Sequence, residues 1–505
     1  MPARKIFNPA IPLKYFLVPF LFIAIISEVF AQQNYFPYYN SDTIPTVRFA
    51  DSCSKRVNKD FEVPAGVSSK YKASYLEIKE DATDYVKSIV KYTDLSDTVI
   101  YPYIVSVYNH IAEANPALKN YSIILSDFYM MNAASVGGRV IIFYAPLLSR
   151  LENESQLAAV LCHELAHGEL NHMQQGLKTK LDAFYDNKYQ EELSQTLKEE
   201  FNVREKMNLL SMKYSFSTRF HDRSQEKAAD SLGYLYLSKT RYDPKEALNL
   251  MNVLKTVDKP AFPDSIDYAQ FFKCSSSVYD FSSIKPYKAA SLFNVINENK
   301  AHEDSLADSL STHPGCEKRI AYLEELMKTV PPHAGSKTDT SLYKKIQWAA
   351  AMELIMSFHL YEYYDLSLFN ALLYLQRNPE NEYLKAMVML NWYGLYNAMK
   401  NHNLADYVSN YSNENRAQLN NLIFLINNLR LSEMAEFGNC FYASNKIDQN
   451  EYAIAVNYCS AMLKDDKTNI LSLQEQYKSN YKRGRFISLL DLKPKVEDKK
   501  KKKKN

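Results

Sequence analysis

Only 11 of the 505 residues are glycine, against 39 tyrosines and 25 phenylalanines. Glycine serves left-handed turns, bulges and tight hairpins, and an average chain spends ~7% of its residues on it. A chain this poor in glycine has few means of making sharp reversals, so a helix-rich fold is expected. Its 46% hydrophobic and 23% charged content excludes collagen-like, disordered and many-span membrane classes. Domains usually run ~100–200 residues, so the length suggests two or three of them, with real cores.

The formal net charge of +2 gives no general electrostatic case for nucleic acid, and no nucleic-acid partner is expected. That balance is uneven along the chain. Residues 1–31 carry a net +2, and Lys499 to Lys504 add six positives. The body between them therefore carries about −6. The lysine run reads as a solvated, disordered end, within a tail spanning 491–505.

The amino terminus reads as an address. Arg4, Lys5 and Lys14 precede an apolar stretch, Tyr15 to Ile26, and Val29-Phe30-Ala31 offers a cleavage site before Gln32. This is the three-part pattern of a signal peptide over 1–31, and its apolar stretch is short for a ~20-residue bilayer span. The rival reading is an uncleaved anchor through residues 15–26, the one case in which membrane association is expected. Export to the periplasm or beyond is the expected location. All six cysteines follow the cleavage site, and an oxidising compartment permits bridges. Cys440 and Cys459 are the pair closest in sequence, which makes them the candidates for a local disulfide.

Residues 32–60 are a mixed, polar extension. From 61 to about 118 the pattern is mostly helical, with Val86, Ile89 and Val90, then Ile104, Val107, Tyr108 and Ile111, at helical spacing. Tyr121 to Met131 reads as a strand. Asn132 to Val136 and Arg139 to Tyr144 flank Gly137-Gly138, a hairpin signature. A helix follows from about Asn153, where Gln156 stands three residues on, as in a capping box. Residues 177–218 read as a long charged helical stretch, and 255–300 as irregular. From 340 to 490 the chain reads as all-helical, with polar turns at Asn378–Asn381 and Asp465–Asn469. Those turns suggest helix-pair repeats of the tetratricopeptide kind, yet no 34-residue period fits both, so a plain bundle is an equal reading.

The chemistry concentrates in three places. His163-Glu164-Leu165-Ala166-His167 lies inside the capped helix. Residues four apart share a helix face, so both imidazoles can address one metal while Glu164, beside them, is left to act as a base. A catalytic zinc needs three protein ligands and an open position. Glu226-Lys227-Ala228-Ala229-Asp230, on the next credible helix, offers Glu226 as the third ligand. Asp230, one turn on, can fix the tautomer of a ligand histidine. Ser311-Thr312-His313-Pro314 with Arg319 adds a histidine and an arginine suited to stabilising an oxyanion.

Together with the Asn132-Ala133 strand and Gly137-Gly138-Arg139, these motifs, in this order over about 130–325, resemble the HtpX, BepA and CAAX prenyl-endopeptidase family of zinc metallopeptidases. The resemblance implies Zn2+, one per chain, held by His163, His167 and Glu226. It implies Glu164 as general base, Asp230 in support of a ligand histidine, and His313 and Arg319 near the substrate. It also implies a sheet edge at Asn132 and Ala133 that pairs with an extended peptide. The membrane helices of two branches are absent, so the chain looks more like the soluble, exported BepA-like branch. Ser135-Val136 departs from the bulkier apolar pair of many relatives.

The expected fold class is therefore mostly α with a small β-sheet. An α+β zincin-like metallopeptidase domain over 61–335 is followed by an all-α domain over 340–490. The expected function is a zinc endopeptidase outside the cytoplasm that attacks peptide bonds with zinc-activated water, with envelope protein quality control suggested by the resemblance. Its expected partners are protein or peptide substrates, and a protein docked on 340–490. The competing reading is a chaperone-like or scaffold protein that works through that helical domain with little proteolysis. Zinc hydrolysis of a non-peptide is a third reading, because a site alone does not name the scissile bond. Cys162 reads as core. His110, His172, His221, His302, His333, His359 and His402 read as surface or packing residues, with His221 and His302 the better placed to block the open zinc position.

Overall fold

The computed structural model describes residues 35–37, 39, 44–93, 99–198, 223–257, 265–273, 279–284, 316–336, 339–412, 415–448 and 450–492. The segment 1–31 read as a signal peptide, the lysine run, His221, His302 and the Ser311–Pro314 motif with His313 lie outside the described residues.

Three helices open the fold: α1 (Ile44–Asp60), α2 (Ser69–Thr93) and α3 (Ile100–Ala114). A three-stranded sheet follows, formed by β1 (Ser122–Ser126), β2 (Ala133–Ser135) and β3 (Val140–Tyr144) in the order β1-β3-β2. The central strand β3 runs parallel to β1 and antiparallel to β2. The strand expected over 121–131 ends at Ser126, and the rest is the loop that turns the chain back to the sheet. The side chains alternate as a pleated strand requires. Ile123, Leu125, Ile141 and Phe143 enter one core, while Ile124, Val140, Ile142 and Tyr144 enter the other.

The 32–60 extension is polar in sequence, yet α1 buries Ala50, Cys53 and Val57 in the second core beside Phe61, Tyr71 and Val86 of the following segment. The β2–β3 turn fits under it. Gly137 and Gly138 have φ of +82° and +59°, and a Cβ on Gly138 would stand 2.5 Å from the backbone nitrogen of Val57. The Gly138 N–H donates to Asp60 Oδ2 at 2.8 Å. Glycine is thus demanded twice at this point, by the left-handed backbone and by the helix above it.

After the sheet come α4 (Glu154–Glu169), α5 (His172–Phe184) and α6 (Asn187–Thr196), then a helical run α7 over 223–237 and α8 (Glu246–Leu254). The expected long helix from 177 is broken at Tyr185-Asp186, where the Asp186 side chain accepts from Tyr189 N–H and caps α6. Two more elements precede the last helices: the short α9 (Tyr268–Phe272), which packs in the helical core, and α10 (Cys316–Thr329), whose Leu323 packs in the core beneath the sheet.

The remaining helices are α11 (Thr340–Leu360), α12 (Tyr364–Leu375), α13 (Glu382–Lys400), α14 (Ala417–Asn428), α15 (Leu431–Ser444), α16 (Glu451–Leu463) and α17 (Lys467–Asn480). Both polar turns noted in the sequence cap helices: Asn381 accepts from Leu384 N–H, and Asp466 from Asn469 N–H. Their core centres on Trp392, stacked on Phe272 with ring centroids 4.2 Å apart. Helix α11 belongs to both halves. Tyr343, Ile346, Ala349 and Ala350 pack in the sheet's core, while Met352, Ile355 and Met356 pack in the helical one. Near the amino terminus, Tyr35 donates to Glu353 and Phe36 packs on Tyr383 and Tyr452. Cys440 is disulfide-bonded whereas Cys459 is a free buried thiol, which overturns the local Cys440–Cys459 bridge. The two sit in different helices whose packing, not sequence distance, decides which thiols meet. Among the described residues, no helix is long and apolar enough to cross a membrane.

The seating of α1 on the hairpin is testable. Gly138→Ala is expected to cost about 1–3 kcal/mol, from the left-handed backbone plus the clash with Val57. Thermal unfolding reads it, and an unchanged Tm would mean that the turn is not clamped by α1.

Candidate metal centre

Helix α4 starts as its sequence signals. The Asn153 side chain accepts from Gln156 N–H at 3.0 Å, and Gln156 Oε1 reaches back to accept from Glu152 N–H at 2.7 Å. Every residue from Glu154 to Ala166 is buried, so this is a helix enclosed on all sides rather than an amphipathic one. It carries His163 and His167 on one face. Their Nε2 atoms lie 3.0 Å apart.

Helix α7 brings the third donor. Glu226, Asp230 and Gly233 stand at i, i+4 and i+7, one stripe of the helix. Gly233 lets α7 come close to α4: a Cβ there would meet the Cα of His163 at 3.0 Å. This glycine escaped the sequence reading, though a mid-helix glycine in so glycine-poor a chain was a signal of close approach. The carboxylate of Glu226 lies 3.5 Å from His163 Nε2 and 3.4 Å from His167 Nε2. The three donor groups fall within 4.8 Å of one another.

Behind the donors stands a buried ionic frame. His163 Nδ1 lies 3.1 Å from Asp230 Oδ1. Arg319, from α10, grips Asp230 with two parallel bonds: Nε donates to Oδ2 at 2.7 Å and Nη2 to Oδ1 at 2.6 Å. Its Nη1 lies 3.1 Å from Glu226 Oε2. The structure thus places Arg319 on the carboxylates of α7. Asp230 and Arg319 are only 4% and 6% exposed, so these charges interact in a low dielectric. Burial alone would raise the Asp230 carboxyl, but His163 and Arg319 outweigh it and hold the group below the usual carboxylate range. Burial likewise opposes a charged imidazole at His163, yet Asp230 and Glu226 push it up to about 10. The pocket therefore attracts positive charge.

Of the two readings the sequence left for His172, surface or packing, the structure shows the buried one, and its Nδ1 lies 2.9 Å from Nδ1 of His167. Burial and then the neighbouring His167 hold it down to about 4. Glu164 sits on the other side of the donors, 3% exposed, with Oε2 accepting from the backbone N–H of Ser135 on β2 at 2.9 Å. The main chain of Asn132 and Val136 bonds to β3, so Ala133 and Ser135 turn their peptide groups the other way. Asn132 Oδ1 accepts the N–H of Ala133 at 2.8 Å. Asn132, Ala133, His163, Glu164, Glu226, Asp230 and Arg319 all line one cavity of about 760 Å³, whose apolar wall includes Leu147, Val160, Leu250 and Met251. Cys162 is fully buried and its thiol is pushed up by burial, as a core residue requires. His313 lies outside the described residues.

Residues 104–327 match the family model of Peptidase family M48. The match supports placement in that family of metallopeptidases. It covers the chain from α3 to α10, hence every residue of the centre described above, and leaves the helices from α11 onward unmatched. No curated protein matches the chain.

The donor set fits a metal ion. Two imidazole nitrogens and one carboxylate oxygen converge, which is the His₂Glu set of hydrolytic zinc sites. The purified protein is expected to hold about one zinc per chain, removable by chelator. Metal retained stoichiometrically by a His163→Ala/His167→Ala/Glu226→Ala variant would show the centre to lie elsewhere. The frame has its own test. Asp230→Ala leaves Arg319 buried beside half its partners, a loss of about 3–5 kcal/mol in the stability of the chelator-treated protein.

Proposed function

We propose that the chain is a zinc-dependent endopeptidase that acts outside the cytoplasm. One observation carries the reading: Glu164 lies beside the His163–His167–Glu226 donors but outside them, in the same cavity, with its carboxylate oriented by a backbone N–H of the sheet edge. When bound, zinc would act as a Lewis acid towards the scissile carbonyl and the attacking water. The protein's own groups do the rest. The carboxylate of Glu164 takes a proton from water as its oxygen attacks the carbonyl carbon, then delivers that proton to the departing amine nitrogen. The carbonyl oxygens of Ala133 and Ser135 face away from β3, so an extended peptide can donate N–H groups to them. His313 is assigned the stabilisation of the developing oxyanion.

Positioned proton transfer contributes ~10²–10⁴-fold, so Glu164→Gln is expected to lower peptide turnover by about that factor or more while zinc stays bound. His313→Phe is expected to cost on the order of 10²–10³, as the loss of one oxyanion donor does. The order decides. Near-native cleavage by Glu164→Gln with a dead His313→Phe would require another base. An unsubstituted protein that holds zinc yet cleaves no peptide would favour the chaperone-like reading centred on 340–490.

The location and wider role belong to the same proposal. A charged start and short apolar core up to Ala31 support export, and a disulfide at Cys440 suits an oxidising compartment. We assign the helices beyond 340 to docking a protein partner or a folded substrate, and the activity to envelope protein quality control in the manner of the BepA-like branch. Intact mass of the exported protein is expected to begin at Gln32. A chain that keeps Met1 in the membrane fraction would favour the anchor.

A further inference from the structure

We infer that His172 is a positioning residue: it fixes the tautomer and ring plane of the ligand His167, in a role parallel to that of Asp230 towards His163. The inference rests on the metallopeptidase reading and deepens it.

The argument is one of atoms. His167 turns Nε2 to the donor cluster, 3.0 Å from His163 Nε2 and 3.4 Å from Glu226. A ligand imidazole offers a lone pair at the liganding nitrogen, so its proton must sit on the other one, Nδ1. That Nδ1 lies 2.9 Å from Nδ1 of His172. Both nitrogens cannot donate, so His172 must be the acceptor, with its own proton on Nε2. The rings stand nearly perpendicular, centroids 4.8 Å apart and planes at 77°, which aims one ring's edge at the other.

The fold takes trouble over this contact. Asn171 adopts a left-handed backbone, φ +52°, and this turn folds α5 back so that its first residue meets the last turn of α4. Gln225, next to Glu226, donates to the carbonyl of His172 at 3.3 Å, which ties the start of α5 to the helix that brings the third ligand. The choice of a neutral acceptor has a chemical consequence. Glu226, Asp230 and Arg319 already sum to one negative charge around the centre. A second carboxylate acceptor behind His167 would neutralise a bound divalent ion further and blunt its Lewis acidity, whereas an imidazole orients without adding charge.

The test pairs two substitutions of equal size. The Oδ1 of Asn can occupy the place of His Nδ1, and Leu has the same shape without an acceptor. Zinc affinity is measured by chelator competition, and the cobalt-substituted protein is followed by visible absorption. His172→Leu is expected to weaken zinc by about 10–100-fold and to alter the cobalt spectrum, with His172→Asn within about threefold of native. His172→Phe, a ring without nitrogen, removes the acceptor a second way should Leu not fold. The Tm of the chelator-treated proteins separates loss of fold from loss of metal. Equal affinity in the Asn and Leu variants, whether native or reduced, overturns the inference and leaves the metallopeptidase reading standing. A native protein that binds no zinc at His163, His167 and Glu226 overturns both.

Discussion

The buried ion network of His163, Asp230, Arg319 and Glu226 is the constraint on which the rest depends. It joins three helices that are far apart in sequence: α4, α7 and α10. Each charge is almost wholly out of water, so each is tolerable only while its partners are in place. Such an arrangement is not the cheapest way to hold three helices together, since apolar side chains of equal volume often serve as well. What it supplies is a fixed orientation. The Arg319 fork leaves Asp230 one way to face His163, and Glu226 one way to face both histidines.

The sheet serves this network from the other side. Its central strand is buried on both faces, so it positions the short edge strand β2 against the helix of the two histidines. The same peptide alternation that pairs Asn132 and Val136 with β3 turns Ser135 N–H towards Glu164. The proposed base and the two histidines share helix α4, but the Glu164 carboxylate is oriented by the sheet edge whereas His163 is oriented by Asp230 of α7.

Helix α11 complicates the picture of two independent domains. Its first half completes the core beneath the sheet and its second half begins the helical core, and Tyr35 and Phe36 reach across to the latter from near the amino terminus. One continuous helix thus contributes side chains to both the core beneath the sheet and the helical core.

Much of this was legible in the amino-acid order. Few glycines meant helices, the Asn153 cap announced α4, the Gly137-Gly138 turn announced the hairpin, and the spacing of four placed both histidines, and then Glu226 and Asp230, on common faces. These are local rules, in which a residue's neighbours within a turn decide its conformation. Local rules also misled. They gave α1 only as part of a mixed, polar extension over 32–60, and left His172 as a surface or packing residue with no partner named. They paired Cys440 with Cys459 because the two are near in sequence. Only the tertiary structure decided those points, along with the sharing of α11, the approach of α7 at Gly233 and the commitment of Arg319 to Asp230 and Glu226. The physical reason is common to all of them. Which buried polar group meets which is set by the packing of helices distant in sequence, and the need to satisfy every buried charge and lone pair selects the partner only once the chain has folded.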